Sequence, residues 1–172
     1  MKILVFSDLH GDSFRAKRAI ARHEATADAV FFLGDGLGDI EPLRAEYEGR
    51  LSFFMVSGNC DGFFFAGAKP PAVTSVSLDG FRFFLTHGHL YHAKFTLDPL
   101  YEAGVEHDAD VVLFGHTHIA ETRYFEPDER HPRPLWLFNP GSLTRPIEGE
   151  PSYGLIETRK GQILLTVVPF SD

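Results

Sequence analysis

Five short apolar runs in this chain stop in the same way. Residues 2–6 (KILVF), 29–33 (AVFFL), 51–56 (LSFFMV), 81–86 (FRFFLT) and 111–114 (VVLF) are each followed at once by a polar turn carrying glycine and Asp, Asn or His. Runs of this length, rich in Val, Ile, Leu and Phe, are the pattern of buried strands. Strands covered on both faces need a layer on each side, which restricts the chain to a layered α/β fold. Between the first three runs the pattern turns helical. One helix is expected around residues 12–25, where Ala16, Ala19, Ile20 and His23 share a face behind a cap at Asp12, and a short one near 41–48. Further on, VTSVSL and FRFFLT flank Asp79-Gly80, a hairpin signal. A helix is expected around 93–104 and strands near 119–125, 135–138, 152–157 and 162–168. The polar, proline-broken segment 126–134 reads as a loop with His131 in solvent. The order β-α-β-α-β, then mostly β, implies a mixed sheet packed on a second sheet with helices outside.

Composition narrows the function classes. The 172 residues suit one domain, 1–172, with a substantial core. No apolar run reaches the ~18 residues of a membrane span, and the N-terminus reads as a strand rather than a signal peptide. With Cys60 as the single cysteine, neither an internal disulfide nor a cysteine-rich zinc site can form. A cytoplasmic protein with no membrane partner is expected. The net charge of −8 speaks against non-specific nucleic-acid binding, which uses a basic face. The same charge would repel an anionic substrate unless bound cations reverse its sign locally.

The strand ends supply the donors for such cations. SDLHGD brings Asp8 and His10, GDG brings Asp35, GNCD brings Asn59 and Asp61, THGH brings His87 and His89, and GHTH brings His116 and His118. If the backbone of GHTH stays extended, its two rings point to one side and face one cleft. Sites in open α/β sheets lie beyond the carboxyl ends of the strands. Donors of this type, with almost no Lys or Arg among them, call for metal. Asp8, His10, Asp35, Asn59, His87, His116 and His118 are too many for one ion. Two ions ~3.5–4 Å apart, sharing one carboxylate and completed by water, accommodate them. Oxygen and imidazole donors suit Mn²⁺ first, with Fe, Zn²⁺ or Ni²⁺ as further candidates.

SDLHGD, GD at 34–35, GNCD, THGH, GHTH and NPGS at 139–142, in this order, resemble the calcineurin-like metallophosphoesterase superfamily. The similarity is greatest to its small bacterial and archaeal phosphodiesterases, which are little more than a catalytic core. The resemblance implies a four-layer αββα sandwich with two mixed β-sheets. It implies that Asp8, His10 and His118 hold one ion, that Asn59, His87 and His116 hold the second, and that Asp35 bridges them. The two rings of GHTH then serve different ions, with Thr117 turned away. Among the remaining residues, His89 is a candidate for contact with substrate or ordered water. Asp12 and Asp61 read as acceptors for backbone N–H, Asp39 as a helix cap, and Asn139 as the backbone-bonding residue of a turn. His23, His92 and His107 read as packing or surface histidines. Cys60 stands where many larger members carry histidine, and reads as a small packing residue rather than a general acid.

The function implied is hydrolysis of a small phosphodiester by a bridging hydroxide, with no further catalytic side chain required. Two dications outweigh Asp8 and Asp35, which removes the charge conflict. The alternatives are a phosphomonoesterase on the same site and a metal-binding interaction protein like the retromer scaffold subunit, whose fold is similar. The complete donor set favours an enzyme. A zinc-dependent amide or lactone hydrolase ranks lower because its HxHxDH-type run is absent. Relatives of this size suggest a homo-oligomer.

Overall fold

The computed structural model describes residues 1–62 and 68–171. In chain order its elements are β1 (Lys2–Phe6), α1 (Ser13–His23), β2 (Ala29–Phe32), α2 (Leu37–Glu46), β3 (Ser52–Met55), β4 (Val73–Leu78), β5 (Phe81–Thr86), a single 3₁₀ turn (His89–Tyr91), α3 (Asp98–Glu106), β6 (Val111–Leu113), β7 (Ala120–Phe125), β8 (Leu135–Pro140), β9 (Ser152–Arg159) and β10 (Gln162–Pro169). The strands form two five-stranded sheets, ordered β10-β9-β1-β2-β3 and β4-β5-β6-β8-β7. Both are mixed: β1, β2 and β3 run parallel, as do β5, β6 and β8, while β9 and β7 pair antiparallel.

Alternation along β1 builds the layers. Ile3 and Val5 enter the core between the sheets, beside Phe31, Phe83, Leu85, Val111, Leu113 and Phe138. Leu4 and Phe6 face the other way, onto Ala16, Ala19 and Ile20 of α1 and Ile40 and Leu43 of α2. On the far side Leu100 and Ala103 of α3 cover Phe84, Val112 and Leu137. The result is the four-layer αββα arrangement expected from the sequence. Among the described residues no helix is long and apolar enough to cross a membrane. Because β1, β2 and β3, and likewise β5 and β6, are parallel, their carboxyl ends gather at one pole. The motif loops follow those ends.

Two helices start elsewhere than the pattern suggested. α2 begins at Leu37 rather than near 41, because the Asp61 carboxylate caps it from the loop after β3. Asp61 accepts from the backbone N–H of Asp35, Gly36, Leu37 and Gly58, all within 2.8–2.9 Å. α3 begins at Asp98, not 93, where Pro99 fits the first turn, whose N–H groups have no intrahelical acceptor. Asp12 caps α1 by accepting from Arg15 N, as expected. Asp39 is not a cap: it lies inside α2 and its Oδ2 accepts from Gly11 N at 2.8 Å, tying α2 to the loop after β1. His131 is buried rather than solvated, since its loop closes on itself. Its backbone N–H donates to Asp128 Oδ1 and its Nδ1–H to the Arg133 carbonyl, both at 2.7 Å. His23 and His107 do pack, the first against the Tyr153 hydroxyl and the second on the Phe84 ring.

Asp61→Ala leaves these four backbone N–H groups without their acceptor. At ~1–3 kcal/mol for each buried donor left unmade, and with water rescuing part, the expected loss is about 3 kcal/mol or more. A shift of the urea midpoint at constant m-value measures it. An unchanged midpoint would show that the clamp contributes nothing.

Candidate metal centre

Asp8 follows β1, Asp35 follows β2, Asn59 follows β3, His87 follows β5, and His116 and His118 follow β6. Five of the candidate donors sit in left-handed backbone: Asp8 (φ 56°), His10 (44°), Asp35 (59°), His116 (66°) and His118 (58°). Such φ values are uncommon outside glycine, and their concentration here marks strain kept where side chains must converge. The GHTH backbone is therefore not extended, contrary to the premise that put both rings on one side. Its turn is set by Asp8, whose Oδ2 accepts from His116 N at 3.0 Å, and by Thr117, whose buried hydroxyl accepts from Asn139 Nδ2 at 3.0 Å. Close approach of the loops requires glycine at Gly115 and Gly58, among others. A Cβ on Gly115 would lie 1.8 Å from Ser7 Oγ, and one on Gly58 would lie 2.1 Å from Asp35 Oδ1. The loops can approach this closely only without side chains.

The two rings of GHTH still part company. His118 Nε2 lies 3.2 Å from Asp8 Oδ1 and 3.3 Å from His10 Nε2. The His116 ring instead lies 5.1 Å, centroid to centroid, from that of His87. His87 Nε2 is 3.3 Å from Asp35 Oδ2 and 3.9 Å from Asp8 Oδ1. Ligand atoms of Asp8, His10 and His118 lie within 4.8 Å of one another, and so do those of Asp8, Asp35 and His87. His116 falls outside these compact sets. His116 stands on the His87 side, and exposed Asn59 donates its Nδ2 to Cys60 Sγ at 3.3 Å.

Hydrogen bonding fixes what these atoms can accept. His87 Nδ1 faces the Leu33 carbonyl at 2.8 Å and His118 Nδ1 faces the Arg145 carbonyl at 2.7 Å. A carbonyl only accepts, so in each ring the proton is on Nδ1. In the neutral rings Nε2 then presents a lone pair, and each lone pair faces a carboxylate. Asp8 Oδ1 and His87 Nε2 are buried and make no hydrogen bond among the described residues. Asp8 Oδ2, by contrast, is satisfied by Ser7 Oγ at 2.6 Å as well as by His116 N. Carboxylate oxygens and imidazole lone pairs converging in a buried space repel unless a cation lies between them. The donor set thus fits divalent metal, with backbone carbonyls orienting the imidazoles.

Without a cation the site attracts protons selectively. Asp8 raises the pKa of His118 above the ordinary imidazole value, against the effect of burial. Burial lowers that of His87, but Asp35 and Asp8 outweigh it and the net shift is upward. His10 is shifted down by burial despite both carboxylates. Burial and the positive charges of His87 and Lys94 bring His116 down to about 4. Burial also opposes the charges of Asp8 and Asp35, yet the imidazoles hold both carboxyls below the usual range.

Three side chains differ from expectation or were missed. Cys60 is exposed, not a packing residue, and its backbone N–H donates to Asp35 Oδ1 at 2.7 Å. Burial of its sulfur and the Asp35 carboxylate push the thiol up to about 11. Lys94 and Arg145 bear on the rings electrostatically, Lys94 on His116 and His118, and Arg145 on His10. No motif contains them, so only the fold reveals them. His89 lies beside His87 and His116, with ring centroids 5.4 and 6.1 Å away, and its Nδ1 is buried without a partner. Ser142 Oγ donates to the Asp8 carbonyl at 2.8 Å, so the NPGS turn holds the first loop from behind.

Residues 1–161 match the family model described as the calcineurin-like phosphoesterase superfamily domain. The chain is 31% identical over 157 residues to the probable metallophosphoesterase YsnB of Bacillus subtilis, covering 91% of this chain and 83% of that protein. It is 30% identical over 191 residues to the phosphodiesterase YfcE of Escherichia coli, covering 100% of this chain and 94% of that one. The fold is also similar to that of vacuolar protein sorting 29 from Cryptosporidium parvum. There the TM-score is 0.68 at 22% identity, over 99% of this chain and 98% of the other.

The charge pattern predicts the histidine titrations of the metal-free protein. By NMR, His118 should stay protonated to higher pH than a free imidazole, while His116 should titrate near pH 4. Asp8→Asn should lower the His118 midpoint, since it removes the anion that stabilises the imidazolium. Coincident midpoints for the two rings would contradict the separation described above.

Proposed function

The chain belongs to the calcineurin-like phosphoesterase superfamily, and from that premise we propose that it is a phosphodiesterase working with two divalent cations, Mn²⁺ foremost. The observation that carries this reading is the pair of imidazoles, His87 and His118, whose Nδ1–H groups are committed to carbonyls and whose Nε2 lone pairs face Asp35 and Asp8. In this reading Asp8, His10 and His118 hold one ion, Asn59, His87 and His116 hold the other, and Asp35 is shared. Such ions, when bound, polarise phosphoryl oxygens and make water a nucleophile near neutral pH.

The chain's own residues do the rest. The Leu33 and Arg145 carbonyls hold two imidazoles in one tautomer and one orientation. Asp61 and Asp39 lock the loops that carry Asp35 and His10. Lys94 and Arg145 offer positive charge to the phosphoryl oxygens not engaged by metal, which helps an acidic protein bind an anion. Cys60, its thiol pushed up to about 11, is a weak acid toward a leaving alcohol. Esters whose alcohol departs without protonation, such as aryl diesters, suit that environment. The similarity to the phosphodiesterase YfcE supports the diester over the monoester.

The metal-loaded protein should hydrolyse bis(4-nitrophenyl) phosphate with a kcat/KM at least ~10-fold above that for the monoester, equivalent to about 1.4 kcal/mol of transition-state preference. A preference for the monoester would establish the phosphomonoesterase instead. Asp35→Asn should lower occupancy of both ions and cut kcat by more than the ~10- to 100-fold typical of losing an outer partner. Lys94→Ala should raise KM several-fold with kcat little changed, the signature of lost uniform binding.

A further inference from the structure

The NPGS turn carries no ligand, yet one of its side chains is built into the backbone that carries His116 and His118. Asn139, near the end of β8, is fully buried. Its Nδ2 donates to the Gly115 carbonyl at 3.1 Å and to Thr117 Oγ1 at 3.0 Å, the residues on either side of His116. We propose that Asn139 is a positioning residue: its amide holds a strained turn closed at His116, and so keeps the His116 ring at the second ion while His118 serves the first. The inference rests on the two-ion reading and deepens it.

Parallel pairing of β6 with β8, Leu113 beside Phe138, puts Asn139 next to the exit of β6. The turn it meets there is tight. Thr117 N–H donates to the Gly115 carbonyl at 2.7 Å across a single residue, His116, whose φ is 66°. A three-residue turn with a positive central φ is the rare, strained form of the γ-turn, and it persists only where the surroundings over-determine it. The Asn139 amide spans this turn, with one N–H on the carbonyl that opens it and one on the hydroxyl of the residue that closes it. Asn139 Oδ1 accepts from Gly141 N at 2.9 Å, an Asx-turn within NPGS. A carbonyl only accepts and a backbone N–H only donates, so these partners admit one orientation of the amide. Gly141 supplies its N–H from a φ of 77°, and a Cβ there would lie 2.3 Å from Ser152 Oγ.

The two histidines depend on this brace unequally. His118 has further ties of its own: its Nδ1–H donates to the Arg145 carbonyl at 2.7 Å, and its carbonyl accepts from Ile147 N at 3.1 Å. His116 has its N–H on Asp8 Oδ2, which fixes one end of the residue and leaves its ψ to the turn. Its ring meets those of His87 and His89, at 5.1 and 6.1 Å between centroids. Without the amide the turn relaxes toward extended backbone. Alternation then carries the rings of His116 and His118 to one side, and His116 leaves His87. Loss of the Asn139 donors should therefore cost the second ion and spare the first.

Three variants of the full-length protein test this. Asn139→Asp keeps the shape and the acceptor for Gly141 N, but sets an oxygen against the Gly115 carbonyl. Thr117→Val weakens the same hold without adding a buried charge, and Thr117→Ser keeps the hydroxyl. In the metal-free protein, the NOE between ring protons of His116 and His87 reads the placement of His116. The cross-peak should be present in the unsubstituted protein and in Thr117→Ser, weakened in Thr117→Val and lost in Asn139→Asp. Titration with Mn²⁺, followed by electron paramagnetic resonance, should show the affinity for one ion reduced ~10-fold or more in Asn139→Asp, the size of losing an outer partner. The affinity for the other ion should be unchanged. A full-strength cross-peak in either Asn139→Asp or Thr117→Val, or equal loss of both ions, would overturn the role of Asn139. A single bound Mn²⁺ in the unsubstituted protein would overturn the two-ion reading, and the cross-peak would still decide whether Asn139 places His116.

Discussion

Asp8 and Asp35 are almost fully buried, at 0% and 3% exposure, and both reach the same nitrogen of His87. Two carboxylates in so small and dry a space destabilise each other unless positive charge lies between them. The lysine and arginine that bear on the rings, Lys94 and Arg145, are exposed. Imidazoles surround the carboxylates instead, and two of these have their Nδ1 protons committed to carbonyls. The arrangement can be neutralised by protons on His87 and His118 or by metal, and the two compete.

The fold works to hold this unfavourable convergence together. Parallel strands in both sheets bring five loops to one pole, and each loop is then tied to another. Asp61 joins the loop after β3 to the start of α2, Asp39 joins α2 to the loop after β1, and Ser142 joins the NPGS turn to Asp8. Left-handed backbone at five donors and the absence of Cβ atoms at Gly58 and Gly115 complete the approach. Each feature costs local stability, which the three apolar layers on either side of and between the sheets offset. A site of this kind tolerates little repacking, because removing one tie moves a donor on another strand.

Much of this is legible in the sequence because a buried strand followed by glycine and a donor is a local pattern. The strands, the two-sheet layering and the donors at the strand ends could be read that way, and motif order alone pointed to the family. What escaped was non-local. α2 starts at Leu37 because a carboxylate 24 residues further on caps it, and nothing around Leu37 announces that. His131 is buried because a short loop closes through Asp128 and Arg133, where composition suggested solvent. The rings of GHTH diverge through a left-handed turn imposed by Asp8, a residue 108 positions away from His116. Cys60 looked like packing because free cysteines usually are, whereas its backbone is tied to Asp35 and its side chain is exposed.

The central claim is that one carboxylate, Asp35, is shared between two cations. Anomalous diffraction at the manganese edge, on crystals grown with Mn²⁺ in excess, tests it most directly. The account predicts two peaks ~3.5–4 Å apart, one beside Asp8, His10 and His118, the other beside Asn59, His87 and His116, with Asp35 between them. A single peak, or two peaks of which only one contacts Asp35, would contradict it.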